Sequence, residues 1–341
     1  MKIVFDPAPI AGGFRIPGYW VWCGSVVHGE DGRYHMFASR WPTSLPMHPG
    51  WLAASEIVRA VADQPAGPYR YEETVLGSRS PAYWDGCSVH NPHIVKIDGT
   101  YVLYYMGTTF PFPVPDEGQD LRPDDPLAIV ARANKRIGIA TAPSVTGPWT
   151  RRNAPVLLPR PDRFDSFFVS NPAPYVREDG TVQLIYKSRP YVGRSYGNMQ
   201  LGLARATSAG GPYVRQPEPL FPPAVHIEDP FIWRTPRGYE MIAKDMDGSI
   251  CGERYGGIHA WSSHGERWEI TTTTGHPVYS RQVQWDDGQL RLMGNLERPF
   301  LLMEGGRPTW MFAATSDGSN GFHDCTETWN MAIPIRDIIF E

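Results

Sequence analysis

Two glutamates occupy the same place in a phrase that the chain repeats: Glu228-Asp229-Pro230 and Glu297-Arg298-Pro299. Other copies read His90-Asn91-Pro92, Ser170-Asn171-Pro172 and, without the proline, Cys23-Gly24-Ser25. In each copy the two leading residues are small, polar or ionisable although a hydrophobic run follows, where a purely structural strand more often carries Val or Ile. Carboxylates and an imidazole at such positions can give and take protons. A second set closes the strand that follows each run: Arg40, Gly107 and Thr108, Lys187 and Arg189, Lys244 and Asp245, Thr315 and Asp317. The cations in that set, with Arg298, are the groups that hold a carboxylate or sulfate on a ligand.

The elements that must position these residues are legible in the rest of the repeat. Each hydrophobic run ends in an acidic or Gly-rich turn, such as Asp31-Gly32, Asp98-Gly99, Asp179-Gly180 or Gly305-Gly306, and then enters an aromatic strand such as Tyr101-Val102-Leu103-Tyr104-Tyr105. That order reads as a β-hairpin. Further on come Gly67-Pro68-Tyr69, Gly147-Pro148-Trp149 and Gly211-Pro212-Tyr213, with a worn fourth copy at Gly265-Glu266-Arg267-Trp268. Self-similarity built from short strands and turns predicts an all-β protein, a five-bladed β-propeller with four-stranded antiparallel blades. The blades are expected over about 18–86, 87–166, 167–224, 225–284 and 285–341, within a single domain spanning 1–341. The N-terminal segment is free to close the ring. Inner strands are expected to begin near Ser25, Pro92, Pro172, Pro230 and Pro299. Five inner strands around one axis bring the phrase residues face to face at one mouth, whatever their separation along the chain.

Composition agrees. At 341 residues the chain is long for one domain, yet a radial repeat holds that length because each unit packs only on its neighbours. With 34 Gly and 34 Pro it is too punctuated for long helices, and most of its 12 Trp and 16 Tyr are expected between blades. A net charge of -4 with both signs interspersed gives no footprint for nucleic acid or an anionic membrane. No apolar run approaches the roughly 20 residues that cross a bilayer. The start, Met1-Lys2-Ile3-Val4-Phe5, lacks the apolar core of a secretion signal, so a cytoplasmic location is expected, or a secreted or periplasmic one if a signal has been removed. Cys23, Cys87, Cys251 and Cys325 form no CxxC pair and are expected as free thiols. No metal signature and no nucleotide-binding Gly-rich loop is present, so no metal site or cofactor is expected, with a calcium or halide on the axis left open. His90 and His93, three apart on a strand, should face opposite ways, with His93 packed between sheets.

This arrangement resembles the five-bladed β-propeller glycoside hydrolases, the group that includes families 43, 32 and 117. The resemblance is one of repeat pattern and covers essentially the whole chain. In family 43 the fourth blade opens with Glu-Gly-Pro, in family 32 the matching phrase is Glu-Cys-Pro, and the Glu is the general acid. Glu228-Asp229-Pro230 stands in that place, so the resemblance implies Glu228 as the acid. It also implies an Asp base in blade one and a further Asp in a middle blade. Gly24 and Asn171 stand there instead, so two of the three expected carboxylates are missing.

Cleaving a glycosidic bond needs one group to protonate the leaving oxygen and a second to attack or to activate water. Crowded carboxylates keep one of their number protonated near neutrality. Candidates for the second role are Glu297, Asp229, Asp85 in Trp84-Asp85-Gly86, and Asp165 in Phe164-Asp165-Ser166, the last also a rim residue able to hold substrate. His90, Asn91 and Asn171 are candidate sugar-binding groups; Trp22 and Trp84 are candidate stacking platforms; Arg40, Lys187, Arg189, Lys244, Asp245 and Arg298 complete the binding set. The expected activity is hydrolytic removal of a terminal sugar or short oligosaccharide, from a glycan whose uronic or sulfate groups would suit the cations. A polysaccharide lyase or glycoside phosphorylase using the same mouth, and a carbohydrate-binding propeller without catalysis, stay open as alternatives. In each case the partner is a carbohydrate.

Overall fold

Short, largely buried runs rich in aromatic and aliphatic residues between Gly- and Asp-bearing turns leave these segments little choice but strands paired with their sequence neighbours. A computed structural model of the protein, describing residues 1–116, 120–193 and 195–340, shows five four-stranded antiparallel sheets arranged as a five-bladed propeller. Blade one runs Tyr19–His28, Tyr34–Pro42, Glu56–Ala62 and Arg70–Leu76 from the inside outward. Blade two runs Ser88–Ile97, Thr100–Thr108, Arg136–Ala142 and Thr150–Arg151; blade three runs Phe168–Val176, Val182–Arg189, Gln200–Ala206 and Val214–Arg215. Blade four runs Ile227–Thr235, Gly238–Asp245, Gly257–Ser262 and Glu269–Ile270. The fifth blade takes Glu297–Glu304, Arg307–Ser316 and Thr328–Ile339 from the C-terminal end and its outermost strand, Lys2–Phe5, from the N-terminal end. Pairing of Lys2–Phe5 with Thr328–Ile339 closes the ring.

The repeated phrase does not start the inner strands; it sits inside them. Each inner strand carries a β-bulge at the phrase, where the register with the second strand slips between Trp22 and Ser25, His90 and His93, Ser170 and Ala173, Glu228 and Phe231, and Glu297 and Phe300. The bulged residue is left-handed in every blade: Cys23 (φ 56°), Asn91 (φ 55°), Asn171 (φ 47°), Asp229 (φ 58°) and Arg298 (φ 53°). That conformation costs a residue with a Cβ roughly 1–2 kcal/mol, least for Asn and Asp. Five such costs around one axis point to a use for the geometry. The bulges also correct the alignment of blade one, whose pair equivalent to Glu228-Asp229 is Trp22-Cys23, not Cys23-Gly24.

The bulge inserts one residue into a period of two, so side chains on both sides of it face the axis. Three levels result. Trp22, His90, Ser170, Glu228 and Glu297 precede the bulge, the five left-handed residues form the middle level, and Ser25, His93, Ala173, Phe231 and Phe300 follow. His90 and His93 therefore point to the same axis at different heights, contrary to the alternation expected of a regular strand. His93 lies on the axis against Phe231 (ring centroids 5.7 Å) and Phe300 (5.1 Å), forming an apolar plug beneath the polar levels.

The connections between second and third strands stand over the same end of the channel in all five blades. They supply two short helices, Met47–Ala54 and Pro126–Ala133, which pack together through Leu52, Ala53, Leu127, Ala128 and Ala131. Among the described residues no helix is long and apolar enough to cross a membrane. All four cysteines are free.

Candidate active site

A chain of hydrogen bonds runs through the middle level from blade one to blade five. The Cys23 thiol donates to Asn91 Oδ1 (2.7 Å), Asn91 Nδ2 donates to Asn171 Oδ1 (2.6 Å), and Asn171 Nδ2 donates to Asp229 Oδ1. Asp229 Oδ2 accepts the Arg298 backbone N–H at 3.2 Å, and the Arg298 guanidinium stands 3.8 Å from Oδ1. Buried polar groups that satisfy one another in this way fix a single arrangement. Asp229, Asn171 and Asn91 thus build the floor on which the reacting groups stand.

Above that floor is a cavity of about 270 Å³. Glu228, Asp229 and Glu297 each bring a carboxylate oxygen to a point where the three lie within 4.8 Å of one another. Such a trio could hold a metal ion, but Lys244 already occupies the position of the cation. Its ammonium, 1% exposed, lies 2.6 Å from Glu228 Oε1, 3.1 Å from Glu297 Oε2 and 3.4 Å from Asp229 Oδ2. The strand pairing explains the contact, because Lys244 is the cross-strand partner of Glu228. Lys187, cross-strand partner of Ser170 in blade three, reaches the other oxygen of Glu228 at 2.5 Å.

These neighbours drive the two glutamates apart in acidity. Burial alone would raise Glu228, but the Lys187 and Lys244 ammoniums overcome it and hold the carboxyl well below the ordinary glutamate range. Glu297 moves the other way: burial, reinforced by the charges of Glu228 and Asp229, raises it despite Lys244. Asn295 donates to Glu297 Oε1 at 2.8 Å and fixes the carboxyl group's orientation. Lys244 remains an ammonium, held up by three carboxylates against its own burial. The two glutamates are thus shifted in opposite directions, the lysines favouring the charged form of Glu228 while burial and the neighbouring carboxylates disfavour that of Glu297.

Of the remaining expected residues, Trp22, His90, Asn91, Asn171, Lys187, Arg189 and Arg298 line the cavity together with the carboxylate trio and Lys244. His90 is stacked on Trp51 (4.9 Å) and touches Trp41 edge-on (5.5 Å), with Nδ1 2.8 Å from the Ser55 hydroxyl. Burial holds it well below the usual histidine range, so it is a neutral ring. That suits a hydrogen-bonding wall group.

Five expected residues lie elsewhere. Arg40 and Asp245 are each one residue out of register with the axis-facing positions Ser39 and Lys244, which turns them to the opposite face of their sheets. Arg40 pairs with Glu56 at 2.7 Å between the rings of Tyr19 and Tyr71, and Asp245 accepts the backbone N–H groups of Gly248, Ile250 and Cys251. Asp85 is fully buried, bound by Arg79, by Arg151 at 3.6 Å and by the Tyr105 hydroxyl at 2.7 Å. Asp165 repeats that device one blade on, with Arg160 at 2.9 Å, Arg215 at 3.2 Å and the Tyr186 hydroxyl at 2.8 Å. Neither reaches the cavity from the rim; both anchor the loop that enters a blade. Trp84 stacks on Tyr105 and covers Gly138, where a Cβ would collide with its ring. It fills a blade contact, not a sugar platform.

The lid over the cavity was not anticipated from the sequence. His48, Trp51, Arg132, Lys135, Tyr196 and Tyr255 all come from the connections between second and third strands. A usable signal was there, in the 27 residues separating Thr108 from Arg136 where a tight turn would have sufficed.

No protein-family model matches the chain, and no curated protein sequence matches it. Solved structures do. A family 117 glycoside hydrolase produced by the marine bacterium Zobellia galactanivorans superposes with a TM-score of 0.68 at 17% identity, over 99% of this chain and 92% of that one. A thermostable family-43 glycoside hydrolase gives 0.61 at 13% identity, over 98% and 94%. The α-L-arabinofuranosidase from Lactobacillus brevis gives 0.58 at 12% identity, over 97% and 94%. In fold, then, the chain is similar along almost its whole length to five-bladed propellers of the glycoside hydrolase group that its repeat pattern resembles.

Proposed function

We propose that the protein is a glycoside hydrolase that removes a terminal sugar or short oligosaccharide in the cavity above the propeller axis, with Glu297 as proton donor and Glu228 as the ionised carboxylate. The observation that carries this reading is the pair itself: two glutamates at equivalent positions of adjacent blades, in one cavity, with oxygens within 4.8 Å and acidities shifted in opposite directions. Paired carboxyls pushed apart by their surroundings divide the acid and base roles between them. The nearest oxygens lie within 4.8 Å, which leaves little room for the water that an inverting glycosidase activates and so favours a retaining route. Glu228 is accordingly the nucleophile. It attacks the anomeric carbon as Glu297 protonates the departing glycosidic oxygen; water, deprotonated by the now-ionised Glu297, then displaces Glu228 and leaves a reducing sugar.

Lys187 and Lys244 keep Glu228 ionised, while the hydrogen-bonded row of Asn91, Asn171 and Asp229 fixes the height of both carboxyls. Trp22, Trp51 and the neutral His90 wall the sugar. The likeness in fold to several glycoside hydrolases supports the class of reaction without specifying the sugar.

Product analysis tests the reading. A panel of oligosaccharides and aryl glycosides is incubated with the protein, and new reducing ends are measured beside absorbance from unsaturated uronides. Reducing ends that disappear in both Glu228→Gln and Glu297→Gln are expected. Unsaturated products, or no turnover across the panel with unchanged binding of sugars, contradict it and favour a lyase or a binding module respectively.

A further inference from the structure

The cavity wall carries six cationic side chains, Arg132, Lys135, Lys187, Arg189, Lys244 and Arg298, against the three carboxylates of Glu228, Asp229 and Glu297. The imbalance is not spread evenly. Lys187, Lys244 and Arg298 stand within 4 Å of the carboxylates, whereas Arg132, Lys135 and Arg189 make no ion pair among the described residues. Lys135 is 3% exposed, and its ammonium makes neither an ion pair nor a side-chain hydrogen bond among those residues. It lies 3.5 Å from the centre of the Phe168 ring and 5.5 Å from that of Trp51. Arg189 stacks on Tyr196 at 4.3 Å, and its buried Nε has no partner.

Burial, with the charges of Lys187, Arg132 and Arg189, pushes Lys135 well below the ordinary lysine range despite Glu228, so its ammonium lacks the counter-charge that two aromatic rings do not supply. Buried cations are normally paired. These converge on empty space from different elements: Arg132 and Lys135 from the end of the helix Pro126–Ala133, Arg189 from the second strand of blade three. We propose that Lys135, Arg132 and Arg189 form a subsite for an anionic substituent, a carboxylate or sulfate ester, borne by the sugar bound in the cavity. The proposal rests on the glycosidase reading and narrows it to uronic or sulfated glycans. Guanidinium forks grip either oxyanion, and Lys135 adds a point charge. Because Lys187 touches Glu228 and stands near the same cluster, a bound anion is held beside the reacting carboxylates, not remote from them.

The test is calorimetric binding to the full chain of glucuronic acid, a galactose sulfate, their neutral parent sugars, and inorganic phosphate alone, with wild type, Lys135→Met and Arg189→Gln. A preference of at least roughly tenfold for the charged sugars over the neutral parents is expected, one charge-assisted contact being enough for that. In both variants the charged-to-neutral ratio should fall toward one, and thermal melts show that each variant is folded. Equal binding of charged and neutral sugars by the wild type overturns the subsite, as does tight phosphate binding with no preference among sugars, which would assign the cations to a free oxyanion. Turnover of aryl glycosides and aryl glycuronides separates the two readings. Charged-sugar preference without hydrolysis leaves the subsite standing and removes the glycosidase, whereas hydrolysis of neutral glycosides only does the reverse.

Discussion

Glu228 and Lys244 face one another across the two inner strands of blade four, with Nζ 2.6 Å from Oε1 and both side chains more than nine-tenths buried. The lysine is the counter-ion for the whole trio, so removing it is far from a local change. Lys244→Met leaves the buried Glu228 and Asp229 carboxylates, with Glu297 beside them, without their shared counter-ion and is expected to cost ~3–5 kcal/mol, the usual loss when one partner of a buried pair is removed. Urea unfolding at pH 7 measures it. Lowering the pH toward 5 should recover part of the loss, since protonating one carboxyl relieves the repulsion; a loss under 1 kcal/mol, unchanged by pH, would contradict this role.

The same contact sets the acid limit of stability. The Glu228 carboxyl titrates lower in the folded protein than in the unfolded chain, where it sits near 4.3. Its stabilisation is therefore complete above that pH and is lost as pH falls toward the folded value. Glu297 titrates higher when folded, so its effect on stability is complete at low pH and fades as pH rises through the folded value. Melting temperatures of wild type and Glu228→Gln, measured from pH 7 down to 3, should begin to draw together below about pH 4.3 without meeting by pH 3. Parallel curves would show that Glu228 titrates alike in both states.

Activity should fall on the alkaline side as Glu297 loses its proton, which a profile of kcat/KM against pH detects. The descending limb is expected above the ordinary glutamate range and absent from Glu297→Gln. A limb that persists in that variant belongs to another group.

Asp85 and Asp165 are expected to matter for folding alone. Asp85→Asn leaves Arg79 and Arg151 without their buried carboxylate, and Asp165→Asn does the same to Arg160 and Arg215. Each should cost ~3–5 kcal/mol while the folded fraction keeps its kcat. A folded variant with kcat reduced a hundredfold would return that aspartate to the chemistry.

Why Glu297 lines the cavity while Asp85 and Asp165 lie away from it is a matter of what a repeat encodes. Equivalent positions in a repeat share a height and a facing direction, so Glu228 and Glu297 could be placed together before any coordinates existed. The five blades, their hairpins and the closing N-terminal strand follow from the same periodicity. The one-residue bulge is where periodicity failed: it moved the blade-one pair to Trp22-Cys23 and turned His93 onto the axis, while on the second strands ordinary alternation set Arg40 and Asp245 facing away from the axis beside Ser39 and Lys244. Left-handed Asn91, Asn171 and Asp229 were the trace of it, since Asn and Asp accept that conformation most readily. Lys135 and Arg132 were not legible because they sit in an insertion outside the repeat, where placement depends on packing between helices and not on strand register.

The division of roles between Glu297 and Glu228 is tested most directly by the dependence of rate on the leaving group. Aryl glycosides with good and poor leaving groups are compared in wild type, Glu297→Gln and Glu228→Gln, with melts confirming that each is folded. Glu297→Gln should lose roughly 10²- to 10⁴-fold in kcat with poor leaving groups and far less with good ones, because only the former need a proton. Glu228→Gln should lose heavily on all of them. The opposite pattern, with leaving-group dependence in Glu228→Gln and a uniform loss in Glu297→Gln, would contradict the account and make Glu228 the acid.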